Sequence, residues 1–354
     1  MPTETADRRR VAIPALEQFM LRAFCAVGVP EPDATRIAAL MAEADARGSD
    51  GHGSFRMPSY VRRIREGGIN LAPVIRIERE REATALVNGD NGMGHLVMSR
   101  AAEIAIAKAR KTGIGWVGVR YSNHAGPAFL YARMPLAHDM VGLYAAIGNA
   151  NHAAPWGGID MLLLTNPLAI AVPGGTRPAI VLDMATTVAA YGKVKTKAQR
   201  GEMMPEGWMI DRQGRPLTDP KRAHEGFLLP IGGPKGYGLS LMLGLLAGTL
   251  NGAAFGRDVV DFNADFKTTT NTGHFICALN ISAFMDVDEF RAEVDAVWAS
   301  MKASATLPGV QAVRLPGEQN AAIYARSLAE GIALHAEHAK ALDTLADALG
   351  IARL

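Results

Sequence analysis

Strand-like patterning is confined to the middle of this chain, and both ends carry helical spacing. Residues 13–26 place apolar side chains at helical intervals, and Pro32-Asp33 opens a second helix with Ile37, Leu40, Met41 and Ala44 on one side, ending at Gly48. From about Ala72 the period shortens. Residues 75–79 and 83–87 alternate like strands, with Asn88-Gly89-Asp90-Asn91-Gly92 as turn material. A helix is expected over 98–111, stopped by Gly113, and strands over 115–119, 140–147, 168–172, 179–183 and 274–280. After Asp286 the spacing is helical again, with Phe290, Val294, Val297 and Met301 on one stripe and Leu342, Leu345 and Leu349 near the end. The two ends are expected to pack together. The implied class is α+β: a discontinuous helical domain, residues 1–72 plus 286–354, clasping a sheet domain over 73–285, with a cleft between them.

Composition narrows the function classes. The 354 residues are 49% hydrophobic and 20% charged, enough for two domains with cores. A net charge of +2 gives no electrostatic footprint for a polyanion, so no nucleic-acid partner is expected. Cys25 and Cys277 are too few for a disulfide framework and suit a reducing compartment, and the polar start has no apolar stretch of the secretory kind, so a cytoplasmic location is expected. Residues 236–256 run uncharged between Lys235 and Arg257, with Gly244, Gly248 and Gly252 at the four-residue spacing of close-packed helices. Ser240, Thr249, Asn251 and the glycines favour a buried helix of a soluble domain over a membrane span, and the small-residue face also suits a subunit interface.

Gly113-Ile114-Gly115-Trp116-Val117-Gly118 fits G-x-G-x-x-G, the dinucleotide fingerprint. Its context argues against that use, because these glycines end a helix and lead into a strand, whereas a working fingerprint follows a strand and opens a helix.

Four separated blocks carry candidate chemistry: D-G-H-G-S-F-R around His52, S-N-H-A-G around His124, D-M-A-T-T from Asp183, and P-K-G-Y-G-L from Pro234. His124 follows an expected strand and should project into a cleft, with Ser122 and Asn123 placed to fix its tautomer. An imidazole near its reference pKa is matched to taking the proton of a hydroxyl as hydride leaves the adjoining carbon. Arg56, four residues after His52, is suited to clamping a carboxylate through a bidentate guanidinium. Lys235 heads an expected helix whose amino end attracts anions. Lys193, Lys195, Lys197 and Arg200 form a basic run that is either solvated or meets phosphates. His335 and His338 with Glu337 resemble a weak metal pair but read better as an exposed helix start, so no metal is expected.

Taken together the motifs resemble the malate/L-lactate dehydrogenase type-2 family, which includes ureidoglycolate, sulfolactate and diketogulonate oxidoreductases and cyclic imino-acid reductases. The matching blocks run nearly end to end: R-G-S-D-G-H-G-S-F-R-M-P-S-Y from Arg47, S-N-H-A-G from Ser122, P-W-G-G from Pro155, T-N-P from Thr165, D-M-A-T-T from Asp183, Gly192-Lys193, G-W-M-I-D from Gly207, T-D-P from Thr218, K-G-Y-G-L from Lys235 and L-P-G-E from Leu315. The resemblance implies a homodimer with a non-Rossmann cofactor domain on a largely antiparallel sheet, binding NAD or NADP. It implies that His124 is the acid/base, that His52 and Arg56 contact substrate with Thr165 and Asn149 beside them, and that His124, Asp183, Met184, Ala185, Lys193, Lys235, Gly236, Pro316, Gly317 and Glu318 meet the cofactor. The basic run leans towards NADP.

The departures are as informative. The family usually has Ser before the first His and, in its imino-acid reductases, Asp after the glycine that here precedes Lys193; this chain has Gly51 and Lys193. A Ser-His-Asp relay cannot be assembled from those positions, which favours a 2-hydroxy acid over a cyclic imine as substrate. Ala125 replaces the usual aromatic ring after the catalytic His, which implies a substrate bulkier than lactate, and Leu164 replaces the usual Gly before T-N-P. The expected function is interconversion of a 2-hydroxy acid and its 2-oxo acid. The alternatives are a cyclic imino-acid reductase and, because Gly51, Ala125 and Leu164 all fall near the expected site, a non-catalytic cofactor-binding homologue.

Overall fold

The computed structural model describes residues 8–49 and 51–354. Asp50 of the first histidine block, residues 1–7 of the polar start and the Arg200 side chain lie outside the described residues. The first elements are β1 (Arg8–Val11), α1 (Ile13–Cys25), α2 (Glu31–Ala46) and α3 (Met57–Arg65). The central part comprises β2 (Arg76–Glu80), β3 (Thr84–Asn88), α4 (Gly94–Thr112), β4 (Ile114–Ser122), α5 (Phe129–Ala132), β5 (Met140–Ala146), β6 (Leu168–Val172), β7 (Ile180–Met184), α6 (Tyr191–Arg200), β8 (Met209–Asp211), β9 (Gly226–Leu228), α7 (Pro234–Ala247) and β10 (Thr272–Asn280). The chain ends with α8 (Val287–Lys302), α9 (Glu318–Glu330), β11 (Ile332–His335) and α10 (Ala336–Leu349).

A seven-stranded sheet in the order β2-β3-β4-β10-β5-β6-β7 forms the centre. Only β3 and β4 run parallel; every other neighbouring pair is antiparallel. The parallel pair is joined by α4, as a crossover requires. Val97, Met98, Ala101 and Ala105 of α4 pack on Val87, Val117, Val119, Tyr144 and Ile276 of the sheet. Gly113 ends α4 in the left-handed conformation at φ 82°, as the stop signal predicts. The glycines that imitate a dinucleotide fingerprint serve packing: a Cβ on Gly115 would lie 2.0 Å from the Ala105 carbonyl oxygen, and one on Gly118 2.0 Å from Asn251 Oδ1.

The two ends of the chain meet, as the helical spacing predicts. β1 pairs antiparallel with β11, and Leu16, Phe19, Phe24, Ile37 and Met41 share one core with Ile332, Leu334, Leu342 and Ala346. α8 departs from that expectation. None of its residues is buried; Asp295 accepts hydrogen bonds from the backbone of Gly175 and Thr176, and Arg291 pairs with Asp139 at 2.5 Å. Its apolar stripe leaves Val297 and Met301 about half exposed, so it does not contribute to the core of the chain ends. The expected buried helix over 236–256 also needs correction. α7 stops at Ala247, and only Gly236, Ser240, Leu243, Gly244 and Ala247 are buried, whereas Met242, Leu246 and Leu250 point outward. No helix among the described residues is long and apolar enough to cross a membrane. Residues 128–137, which look continuously helical in sequence, split into α5 and a 3-10 turn at Met134–His138, where Pro135 lacks the amide that would extend the helix.

Candidate active site

One large cavity, about 1150 Å³, opens between the lead into α3, the β4–α5 loop, β7, α6 and the loop at Pro316. It is larger than the roughly 300–1,000 Å³ of ordinary small-ligand pockets, which leaves room for an extended cofactor beside a substrate. His52, Arg56, His124, Asn149, Thr165, Asp183, Met184, Ala185, Lys193, Pro316 and Gly317 all line it. Three sequence-nominated residues do not. Lys235 is exposed at the amino end of α7, and Gly236 is buried against the Ile231 carbonyl. Glu318 binds Lys302 at 2.6 Å and accepts from Leu315 N at 3.0 Å. Leu164 is wholly buried beside Ile147 and Leu243, beneath the cavity and not on its wall.

His124 sits just past β4, held by backbone contacts on two sides. Thr272 of β10 pairs with Ser122, and α4 begins so close beneath the loop that a Cβ on Gly94 would lie 2.3 Å from the Asn123 carbonyl oxygen and 2.6 Å from that of His124. Ser122 and Asn123, expected to fix the His124 tautomer, do not touch its ring. Ser122 Oγ donates to the Asn123 carbonyl, and the Asn123 amide donates to Asn91 and Gly92. The ring partner is Tyr60, whose hydroxyl makes a short hydrogen bond to His124 Nδ1. In the sequence Tyr60 shows only as the last residue of the block that starts at Arg47. The spacing of His52, Arg56 and Tyr60 offers no clean signal, because His52 lies in a turn, Arg56 in a 3-10 turn and only Tyr60 in α3.

The electrostatics around His124 differ from the sequence expectation of a pKa near the reference value. Burial, then the Arg56 charge, then His52, His95 and His274 hold it well below 6.5. His52 stacks on it with ring centroids 5.6 Å apart and is itself pushed down to about 4, chiefly by burial. Both rings are therefore neutral at pH 7. Tyr60, buried against Phe262 and His95, is pushed well above the usual phenol range by burial and keeps its proton.

Arg56 Nε donates to the Gly51 carbonyl at 3.0 Å and Nη1 to Asn263 Oδ1 at 3.2 Å. Its Nη2 makes no hydrogen bond among the described residues, and no carboxylate among them pairs with the guanidinium, so the charge is free to meet an anion in the cavity. At the far wall, Asp183 on β7 accepts from Phe129 N at 3.0 Å, and burial raises its pKa to about 6 although its carboxylate faces the open cavity. The Pro316 carbonyl accepts from Val181 N at 3.0 Å, docking the loop of Pro316 and Gly317 on the edge strand β7. Lys193 is exposed to the cavity, whereas Lys197 is paired with Glu202 at 2.7 Å. No group of three or more His, Cys, Asp or Glu among the described residues could hold a metal ion, and His335 instead accepts from Glu337 N at the start of α10.

The family model for malate/L-lactate dehydrogenase matches residues 11–343. The chain belongs to that family. L-sulfolactate dehydrogenase of Methanothermobacter thermautotrophicus is 43% identical over 93% of this chain and 92% of its own length. The solved malate dehydrogenase of Pyrococcus horikoshii OT3 superposes with a TM-score of 0.91 at 33% identity, covering 100% of both chains. Delta1-piperideine-2-carboxylate reductase of Pseudomonas syringae superposes at 0.82 with 28% identity, covering 95% of this chain and 99% of that one. Of two further relatives at 32% identity, one is named for NAD(+) and the other for NADP(+). The family and these relatives make the protein an oxidoreductase, with 2-hydroxy acids as the substrate class most of them share.

Proposed function

We propose that the protein interconverts a 2-hydroxy acid and its 2-oxo acid with NAD or NADP, and that His124 is the acid/base. The observation that carries this reading is a neutral, buried imidazole held on Tyr60 in the same cavity as the unpaired guanidinium of Arg56. In the oxidation direction His124 Nε2 must accept, so Nδ1–H donates to the Tyr60 oxygen; in the reduction direction the proton returns from Nε2 to the carbonyl oxygen. Arg56 holds the carboxylate, with His52, Asn149 and Thr165 around the reacting carbon. The bound carboxylate offsets the Arg56 charge that otherwise disfavours imidazolium, so substrate binding itself makes the base stronger. Asp183, Met184, Ala185, Lys193, Pro316 and Gly317 would hold the cofactor, and its nicotinamide ring supplies the hydride acceptor. The cofactor domain, on its mainly antiparallel sheet, is of the non-Rossmann kind, spanning 73–285 with α8 docked on it; the helical domain is drawn from 1–72 and 286–354.

With Lys197 paired to Glu202, the lean to NADP rests on Lys193. The exposed Met242 and Leu246 on α7, with Leu250 in the turn just beyond it, support a homodimer built on that face. Two free cysteines support a cytoplasmic location. Following the loss of reduced-nicotinamide absorbance with NADH or NADPH and 2-oxo acids of graded size tests the reading directly. Turnover of an open-chain 2-oxo acid is expected, and His124→Ala should lower kcat by at least about a hundredfold with cofactor affinity retained. Activity confined to cyclic imines would instead select the imino-acid reductase reading, which the Pseudomonas syringae likeness keeps in view but the absence of a hydroxyl at Gly51 and of a carboxylate at Lys193 argues against. Cofactor binding without turnover of any substrate would mean a non-catalytic homologue.

A further inference from the structure

Arg56 is not the sole cation at its end of the cavity. Lys195, from the middle of α6, reaches the same acceptor: its Nζ lies 3.3 Å from Asn263 Oδ1, the oxygen that Arg56 Nη1 meets at 3.2 Å. The orientation of that amide is settled by its other end, since Asn263 Nδ2 donates to Asp261 Oδ1 at 3.2 Å. An amide fixed in this way offers one neutral oxygen to two full positive charges. Neither cation has a carboxylate in salt-bridge contact among the described residues. Asp261, which accepts from the Asn263 amide, is the carboxylate whose charge acts on Lys195.

The lysine is aimed by an aromatic wall. The rings of His152 and Tyr191 stack with centroids 3.7 Å apart, and Lys195 Nζ lies 5.7 Å from the centre of the Tyr191 ring. His152 is neutral, pushed down to about 4 mainly by burial, and so adds no charge of its own. Burial first and Arg56 second lower the Lys195 pKa, and Asp261 offsets them only in part. Two like charges half-enclosed around one neutral acceptor are unfavourable until anionic groups fill the space between them.

We propose that Lys195 is a specificity-determining residue, and that together with Arg56 it selects 2-hydroxy acids bearing a second anionic group, a carboxylate or a sulfonate, over monoanions such as lactate. The first carboxylate meets Arg56 and the second group meets Lys195 and displaces its contact with Asn263. This deepens the hydroxy-acid reading above and rests on it.

The test is the ratio of kcat/KM for malate to kcat/KM for lactate in the wild type, Lys195→Met and Lys195→Arg, alongside calorimetric titration of the cofactor-free protein with succinate and with butyrate. In Lys195→Met the ratio should fall about thirtyfold or more, the scale of losing one partner of an enclosed charge pair. Lys195→Arg should restore most of it, which a merely structural loss would not allow. Wild-type protein should bind succinate more tightly than butyrate, and Lys195→Met should lose that preference. An unchanged ratio in Lys195→Met, or equal binding of succinate and butyrate by the wild type, overturns the proposal. Preferential succinate binding lost in Lys195→Met, with no turnover of any 2-hydroxy acid, would leave the two-anion site standing and remove the redox reading instead.

Discussion

At the scale of single residues, the proposed proton acceptor, His124, is kept neutral by its surroundings. Removing the Tyr60 hydroxyl leaves His124 Nδ1 without its partner and lets the ring choose its own tautomer. Tyr60→Phe should therefore lower kcat by at least about tenfold, since a misplaced reacting group costs up to about a hundredfold, while leaving cofactor affinity near that of the wild type. Single-turnover kinetics with a titrated cofactor would check both halves; a kcat within twofold of the wild type would mean that the hydroxyl does not orient the base. The same environment fixes the sign of the pH dependence. Because burial and the Arg56 charge hold His124 well below 6.5, its basic form is already dominant at pH 6.5. The kcat/KM for oxidation, which reports the free enzyme, should stay level from pH 7.5 to 6.5 and decline only below that. A profile half-maximal at pH 6.5 or above would show an unperturbed imidazole.

At the scale of elements, α4 acts as a floor for the loop that carries His124, and Gly94 is where the two touch. A methyl group there meets the backbone oxygens of Asn123 and His124 at 2.3 and 2.6 Å, atoms that cannot rotate away. Gly94→Ala should cost about 1–3 kcal/mol of stability, as overpacking does, and depress kcat as well because the displaced loop carries the base. Thermal melting and turnover measured on the same preparation would show whether the two losses come together; a variant as stable and active as the wild type would refute the contact. Elements of this kind are also where the sequence is most and least readable. The expected strands fall within a residue or two of β3, β5, β6 and β10; β3 and β6 show the two-residue period of a half-covered sheet, whereas β10 is buried along most of its length and reads as an apolar run. Periodicity fails on α7, where nearly every position is apolar and no face is distinguished from another. On α8 it marks a genuine apolar stripe, but none of the described residues buries it. His52, Arg56, His124 and Asp183 were found because short motifs name them. Lys195 with Asn263, and Tyr60 with His124, were not, because residues separated by 68 and 64 positions meet only through the fold.

For the whole molecule, two properties follow from what the fold leaves exposed and what it encloses. Met242, Leu246 and Leu250 lie at i, i+4 and i+8, a continuous apolar line along and just beyond α7. If a second copy covers that line, Leu246→Glu should shift the protein to monomers at micromolar concentration in light scattering, and a wild type that is already monomeric would remove the dimer. The enclosed histidines set the response to acid. His95 and His274 are fully buried with pKa values near 3, and His52 and His152 are near 4, all lowered chiefly by burial. Each has a folded pKa below the unfolded value of about 6.5, so its contribution is complete above pH 6.5 and is lost as the pH falls from there towards 3 or 4. Each wholly buried histidine imposes a slope of about 1.4 kcal/mol per pH unit in that window. Asp183 opposes them: its pKa is raised to about 6, so the folded state gains as pH falls from 6 towards the unfolded carboxylate value, but its opening onto the cavity weakens that gain. With His95 and His274 alone removing about 2.7 kcal/mol per unit from a stability of about 5–15 kcal/mol, the histidines outweigh Asp183 and stability should start to fall near pH 6, before most carboxylates titrate. The urea midpoint should be flat from pH 8 to 7 and fall steeply between 6 and 4.5. Replacing His95, which has no hydrogen-bond partner on either ring nitrogen among the described residues, by Leu should flatten that fall by about one proton's worth of slope. A His95→Leu protein whose midpoint follows pH as the wild type does would show that its imidazole takes up a proton without unfolding the chain.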